Sequence, residues 1–215
     1  MLGEIAMLGA ETMRTRAYLL ALRDNDLLPS ALILFERPET PGKFGVAELA
    51  RSVGIRLVTL TAGDINDPSV VAAVISLAHP YLIFSGPAGA ILRKQLFATG
   101  KKFIHVHPGR LPEFRGSTTI YYSLLAENRI DATALILNEA IDAGPVIGRA
   151  TFAAPPDRKA IDGEYDSNIR ASLLVDVMCD FARHGRFEEM EQPTGAGETF
   201  YIIHPVLKHL AILAS

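Results

Sequence analysis

Two histidines separated by one residue, His105 and His107, end the apolar run Phe103-Ile104-His105-Val106-His107, which reads as a strand. A strand has period two, so both rings belong on one side. The next stretch, Pro108 to Gly116, holds too much Pro, Gly and Arg to continue the strand and reads as a shaped loop. Further on, Asp142 stands in the turn Ile141-Asp142-Ala143-Gly144-Pro145, with glycine close downstream. Two imidazoles and a carboxylate can form a metal site with open positions, the arrangement used in metal-assisted hydrolysis. His79, His184, His204 and His209 have no such company and read as structural or exposed.

Groups like these need a frame. Up to residue 106 the chain alternates short apolar runs with helical patterns. Glu4–Leu8, Ala31–Phe35, Ile55–Leu60, Tyr81–Phe84 and Lys102–Val106 read as strands. Thr12–Asp24, Phe44–Val53, a segment opened by Asp67-Pro68, and Ile91–Phe97 read as helices. A Pro/Gly-rich loop spans Pro38–Gly42. Strands separated by helices at this spacing predict right-handed βαβ units, and nearly all-apolar strands predict helices on both faces of a mostly parallel sheet. His105 and His107 then lie at the carboxyl end of a parallel strand, where open α/β sheets place ligands. The later pattern changes: helix Thr118–Glu127, an antiparallel strand pair Asp131–Leu137 and Val146–Phe152 added to the sheet, the long helix Ser167–Arg183, and a tail with strand Thr199–Ile202 and a last helix ending near Leu213. The expectation is a Rossmann-like α/β chain of one domain over 1–215, with its core at about 4–152 and a C-terminal helix and tail at 165–215.

Composition narrows the function. The formal net charge is -3 over 215 residues, which predicts no electrostatic grip on nucleic acid. No stretch approaches the ~18 uninterrupted apolar residues of a membrane span, and the N-terminus is a poor signal peptide. The single cysteine, Cys179, allows no intrachain disulfide and sits in an apolar-periodic run as a small hydrophobe. A cytoplasmic location is expected. The apolar tail Tyr201–Leu207 is suited to packing on the core or on a second copy, which would make a homodimer.

The segment HPGRLPEFRG (His107–Gly116), followed at the right distance by IDAGPVIG (Ile141–Gly148), resembles the signature of the formyltransferases that use 10-formyltetrahydrofolate. The likeness covers roughly residues 4 to 152. It implies a formyltransferase-like fold and transfer of a formyl group from 10-formyltetrahydrofolate to an amine of a small acceptor. In that family the reacting group is an Asn-x-His pair and a later Asp. His107 and Asp142 match the histidine and the aspartate, and His105 occupies the asparagine position. The resemblance implies that His107 donates to the oxyanion of the tetrahedral intermediate, that Asp142 orients His107 and helps remove the amine proton, and that His105 is a second donor. It also implies a folate site along the backbone of Ser85, Gly86, Pro87, Ala88 and Gly89, and of Asn138, Glu139, Ala140 and Ile141.

Arg110 and Arg115 flank the mouth of the expected site, where they hold an anionic acceptor or brace the loop, and Tyr121 or Tyr122 offers a ring to stack on a substrate. Glu11, in the first strand–helix turn, would repel a phosphate there, which argues against a ribonucleotide acceptor and favours a small amine such as an amino sugar on a nucleotide carrier. Two other readings stand beside this one: a metal-assisted hydrolase built on His105, His107 and Asp142, and a non-catalytic member of the fold that binds a folate or nucleotide.

Overall fold

The computed structural model describes residues 1–38 and 42–213, so the middle of the Pro38–Gly42 loop lies outside the described residues. The chain folds as two compact units, Met1–His105 and Val106–Ser215.

The first unit contains β1 (Leu2–Ala10), α1 (Met13–Asp24), β2 (Pro29–Glu36), α2 (Val46–Ser52), β3 (Arg56–Thr61), α3 (Pro68–Ser76), β4 (Tyr81–Ser85), the single turn α4 (Lys94–Phe97) and nearly all of β5 (Lys102–His107). Its strands run parallel in the order β3-β2-β1-β4-β5. The chain steps outward from β1 to β3, then returns past β1 to β4 and β5. Right-handed crossovers in opposite directions put α1 and α2 on one face and α3 and α4 on the other. In keeping with this, α1 packs beside α2 and α3 beside α4. Ile5, Ala6, Met7 and Leu8 of β1 are fully buried, as expected of a strand covered on both faces. Truncating Leu8 to Ala there would cost roughly 2–5 kcal/mol.

Local chemistry sets the helix ends. Thr12 caps α1 by accepting from the Thr15 amide at 3.1 Å, and Asp67 caps α3 by accepting from the Ser69 amide at 2.9 Å. Glu11 is buried. Its carboxylate accepts from the Phe44 amide at 3.1 Å and the Val46 amide at 2.9 Å. The acid expected to repel a phosphate is therefore engaged at the start of α2.

The second unit opens with the end of β5. It continues through β6 (Phe114–Gly116), α5 (Thr119–Glu127), β7 (Ile130–Ile136), β8 (Val146–Phe152), a short 3-10 turn at Arg158–Ala160, α6 (Asp166–His184), β9 (Glu198–Phe200) and α7 (Pro205–Leu213). β7 and β8 are antiparallel, as their spacing predicts. β6 and β9 form a separate parallel pair: β9 overlaps the strand expected at Thr199–Ile202, shifted towards the N-terminus, and β6 lies in the stretch read as a loop. The apolar tail divides. Ile203 and Ala211 are buried in a cluster with Ile120, Tyr121 and Leu124, whereas Tyr201 and Ile202 are each 80% exposed. Cys179 is half-buried rather than buried. Among the described residues no helix is long and apolar enough to cross a membrane.

Candidate active site

His107 is 2% exposed, at the end of β5. Its Nε2 lies 2.7 Å from the Phe114 carbonyl and 3.2 Å from Thr119 Oγ1. The Thr119 hydroxyl already donates to the Pro108 carbonyl at 2.7 Å, so it can only accept from the ring. Nε2 must therefore carry a hydrogen, shared between two oxygens. On its other side, Nδ1 lies 3.3 Å from Asp142 Oδ2.

Gly109 makes this packing possible. A Cβ there would meet Thr119 Oγ1 at 2.8 Å, His107 Nε2 at 2.9 Å and the Phe114 carbonyl at 3.1 Å. Thr133 of β7 braces the same loop: its hydroxyl donates to the Gly109 carbonyl at 2.7 Å and accepts from the Leu111 amide at 3.1 Å. Arg170 of α6 pairs with Asp166 through Nη2 at 2.9 Å and reaches the Val106 carbonyl with Nη1 at 3.3 Å.

Asp142 takes φ +50°, a left-handed conformation that Asp tolerates better than most residues. Its Oδ2 also accepts from the Gly116 amide at 2.9 Å. The side chain is 12% exposed, and among the described residues Oδ1 has no hydrogen-bond donor. One oxygen is held and the other is open.

Burial pushes the His107 ring below its ordinary value of 6.5, and the Arg170 guanidinium adds to the effect. The Asp142 carboxylate, the Phe114 carbonyl and Asp166 pull the other way. A neutral ring with its hydrogen on Nε2 presents a lone pair to Asp142, so the Nδ1···Oδ2 axis has room for one proton.

His107 and Asp142 meet, through Nδ1 and Oδ2. The expected donation from His107 to a substrate oxyanion is revised, because Nε2 is committed to Phe114 and Nδ1 to Asp142. His105 closes the first unit, half-buried, with Nδ1 3.4 Å from the Phe84 carbonyl and its ring 5.9 Å from that of Phe84. Ser85 and Gly86 are buried. The Ser85 hydroxyl contacts Thr15 Oγ1 at 2.9 Å, and Arg14 donates to the Gly86 carbonyl. Ala88 and Gly89 face outward, and Pro87 is half-buried. Asn138, Glu139, Ala140 and Ile141 are exposed in the turn that leads into Asp142.

Tyr121 is not a substrate platform. It is 2% exposed in the core and its hydroxyl donates to Asp162 at 2.6 Å. Tyr122 packs on Phe200 instead, with ring centroids 4.5 Å apart. Arg110 is exposed, with Nε 3.7 Å from Glu113. Arg115 directs Nη2 towards Gln192 at 3.5 Å, while its buried Nε has no hydrogen-bond partner among the described residues. Among the described residues no three His, Cys, Asp or Glu side chains group as a metal would require.

Sequence reasoning missed Thr133, Arg170 and Gln192. The first two carried a signal, a polar residue on an otherwise buried face. Gln192, in a polar loop, carried none.

Comparison with solved structures decides the fold. A sugar N-formyltransferase from Shewanella sp. FDAARGOS_354 superposes with a TM-score of 0.66 at 14% identity, covering 97% of this chain and 86% of that one. Phosphoribosylglycinamide formyltransferase from Bacillus halodurans gives 0.65 at 16% identity, covering 85% of this chain and 96% of that one. This is the formyltransferase fold. A formyltransferase of this fold from Helicobacter canadensis, solved with folinic acid and dTDP-3-aminofucose, gives 0.63 at 15% identity over 93% of this chain and 71% of that one. In sequence, the chain is similar to methionyl-tRNA formyltransferases. It is 29% identical to that of Chloroflexus aurantiacus over 162 residues, 73% of this chain and 50% of the relative. It is 27% identical to that of Roseiflexus sp. (strain RS-1) over 153 residues, 69% of this chain and 47% of the relative. The match thus spans about half the length of these relatives. No protein-family model matches.

Proposed function

We propose that this formyltransferase fold transfers a formyl group from 10-formyltetrahydrofolate to an amine. The observation that carries the reading is the Asp142 carboxylate, with Oδ2 fixed by Gly116 and facing His107 while Oδ1 has no donor among the described residues. The exposed turn Asn138–Ile141, continuous with Asp142, offers backbone groups to a folate ring.

The attacking amine forms a bond to the formyl carbon, and the carbonyl electrons move to oxygen. Asp142 takes the amine proton at Oδ1, which removes the negative charge that the His107 Nδ1 lone pair faces at Oδ2. Collapse breaks the bond from the formyl carbon to the folate nitrogen, and the proton leaves with that nitrogen. His105, two residues before His107 on β5, is the proposed donor to the oxyanion. The acceptor is a small amine, with an amino sugar on a nucleotide carrier as the leading candidate. Two things support that choice: the neighbour solved with dTDP-3-aminofucose, and the commitment of Glu11 at the position where a ribonucleotide phosphate would need a cradle.

The test is formyl transfer from 10-formyltetrahydrofolate to a panel of amino sugar nucleotides and simple amines. The wild type should turn over at least one of them. Asp142→Asn should lose on the order of 10²–10³ in rate, and His105→Ala a similar factor with donor binding retained. Full turnover in Asp142→Asn would overturn the reading.

A further inference from the structure

Gln192 lies in the C-terminal loop, far along the chain from the reacting residues. Its Nε2 is 2.8 Å from the Asp142 carbonyl and 2.8 Å from the Gly144 carbonyl. An amide nitrogen carries two hydrogens, so one group serves both carbonyls. The amide cannot be turned over, since that would set its oxygen against two oxygens. In the observed orientation Oε1 faces Arg115 Nη2 at 3.5 Å. The segment holding Gln192 is anchored on both sides. Upstream, Met190 and Val146 exchange backbone hydrogen bonds of 2.8 and 2.9 Å. Downstream, β9 pairs with β6, whose last residue, Gly116, donates to Asp142 Oδ2.

Within the turn so clamped the Ala143 amide donates to the Ala140 carbonyl at 3.4 Å, a long bond. Asp142 sits at φ +50°. Gly144 passes so close to β7 that a Cβ would fall 1.9 Å from the Ile136 carbonyl. Its two carbonyls are satisfied by a residue about fifty positions away. We infer that Gln192 is a positioning residue for Asp142, and that the C-terminal loop completes the reacting centre by fixing the left-handed turn from behind. The inference rests on the reading of Asp142 as the base. It assigns to residues 190–200 a role in holding the base, since Gln192 bonds to the backbone of that turn and not to the carboxylate.

Gln192→Met, close in size and without donors, is the test. The full chain is assayed for kcat and for the KM of the folate donor, and the His107 ring is followed by NMR through a pH titration. The charged groups acting on that ring are Asp142, Arg170 and Asp166. A loosened Asp142 supports the imidazolium less, so the ring should titrate at lower pH in the variant. kcat should fall about 10–100-fold, a larger factor than any change in the donor KM. Gln192→Glu keeps the size, sets oxygens against the two carbonyls and should lose at least as much. Should Gln192→Met fail to fold, Gln192→Asn, which keeps the amide but is too short, is read in the same way. An unmoved His107 titration overturns the inference, whether or not kcat falls, and so does wild-type turnover in Gln192→Glu. If the wild type transfers no formyl group but the titration moves, the clamp stands and the functional reading fails.

Discussion

His107 faces three acceptors, the Phe114 carbonyl, the Thr119 hydroxyl and Asp142, and when neutral has one N–H to give them. The 2.7 Å contact to Phe114 keeps that hydrogen on Nε2, which leaves Asp142 facing a lone pair across 3.3 Å. This conflict makes the pair sensitive to protonation, because neutralising the carboxylate or charging the ring relieves it. It also has a consequence for stability. The folded ring holds its proton less well than a free histidine at 6.5. As pH falls through 6.5 the unfolded chain takes up a proton that the folded chain refuses, so stability declines until the folded ring also protonates. Above 6.5 neither state is charged at this residue and the contribution is complete. His107→Gln should remove that decline while still donating to Phe114. Urea midpoints between pH 7.5 and 5 check this: the wild-type curve should fall relative to the variant below 6.5, and parallel curves would contradict it. His107 and Asp142 were legible in the sequence because strand period and turn composition are local. Their mutual geometry was not, because the Phe114 carbonyl that fixes the tautomer is placed by a loop whose shape depends on Gly109 and Thr133.

The loop from His107 to Gly116 is the element on which the site depends. Gly109→Ala would press a methyl group onto His107 Nε2, Thr119 Oγ1 and the Phe114 carbonyl, all within 3.1 Å. Overpacking of this kind costs about 1–3 kcal/mol, and the displaced imidazole should lower transfer by on the order of 10². Urea midpoints and turnover measured on one preparation check both, and an unaltered midpoint would show that the loop yields easily. At this scale the longer elements were well predicted, since Thr12, Asp67 and the apolar strands announce them. The predicted helix Ile91–Phe97 shrinks to the single turn of α4. β6 and β9 were missed or misplaced. Three-residue strands have no periodicity to read, and their pairing depends on backbone closeness: a Cβ on Gly116 would lie 2.1 Å from the Phe200 carbonyl, and one on Gly197 1.6 Å from that of Pro112. Tyr121 was misread for a related reason. Which of two adjacent tyrosines faces the core depends on where α5 begins, at Thr119 rather than Thr118.

For the whole molecule, the parallel order β3-β2-β1-β4-β5 and the antiparallel β7-β8 pair agree with what alternating apolar runs and helical patterns imply. The chain matches about half the length of its methionyl-tRNA formyltransferase relatives, while the sugar N-formyltransferase from Shewanella covers nearly all of it in structure. The His107–Asp142 pair is open to direct test. Folinic acid, the ligand in the Helicobacter canadensis structure, serves as the probe. Titrating it into the protein while observing the His107 ring nitrogens by NMR should give a saturable shift of that ring, because a donor seated against Asp142 Oδ1 changes the charge the ring faces. Saturable binding of folinic acid that leaves the His107 resonances where they were, or no binding at millimolar ligand, would contradict the claim that this dyad is where the formyl group is handled.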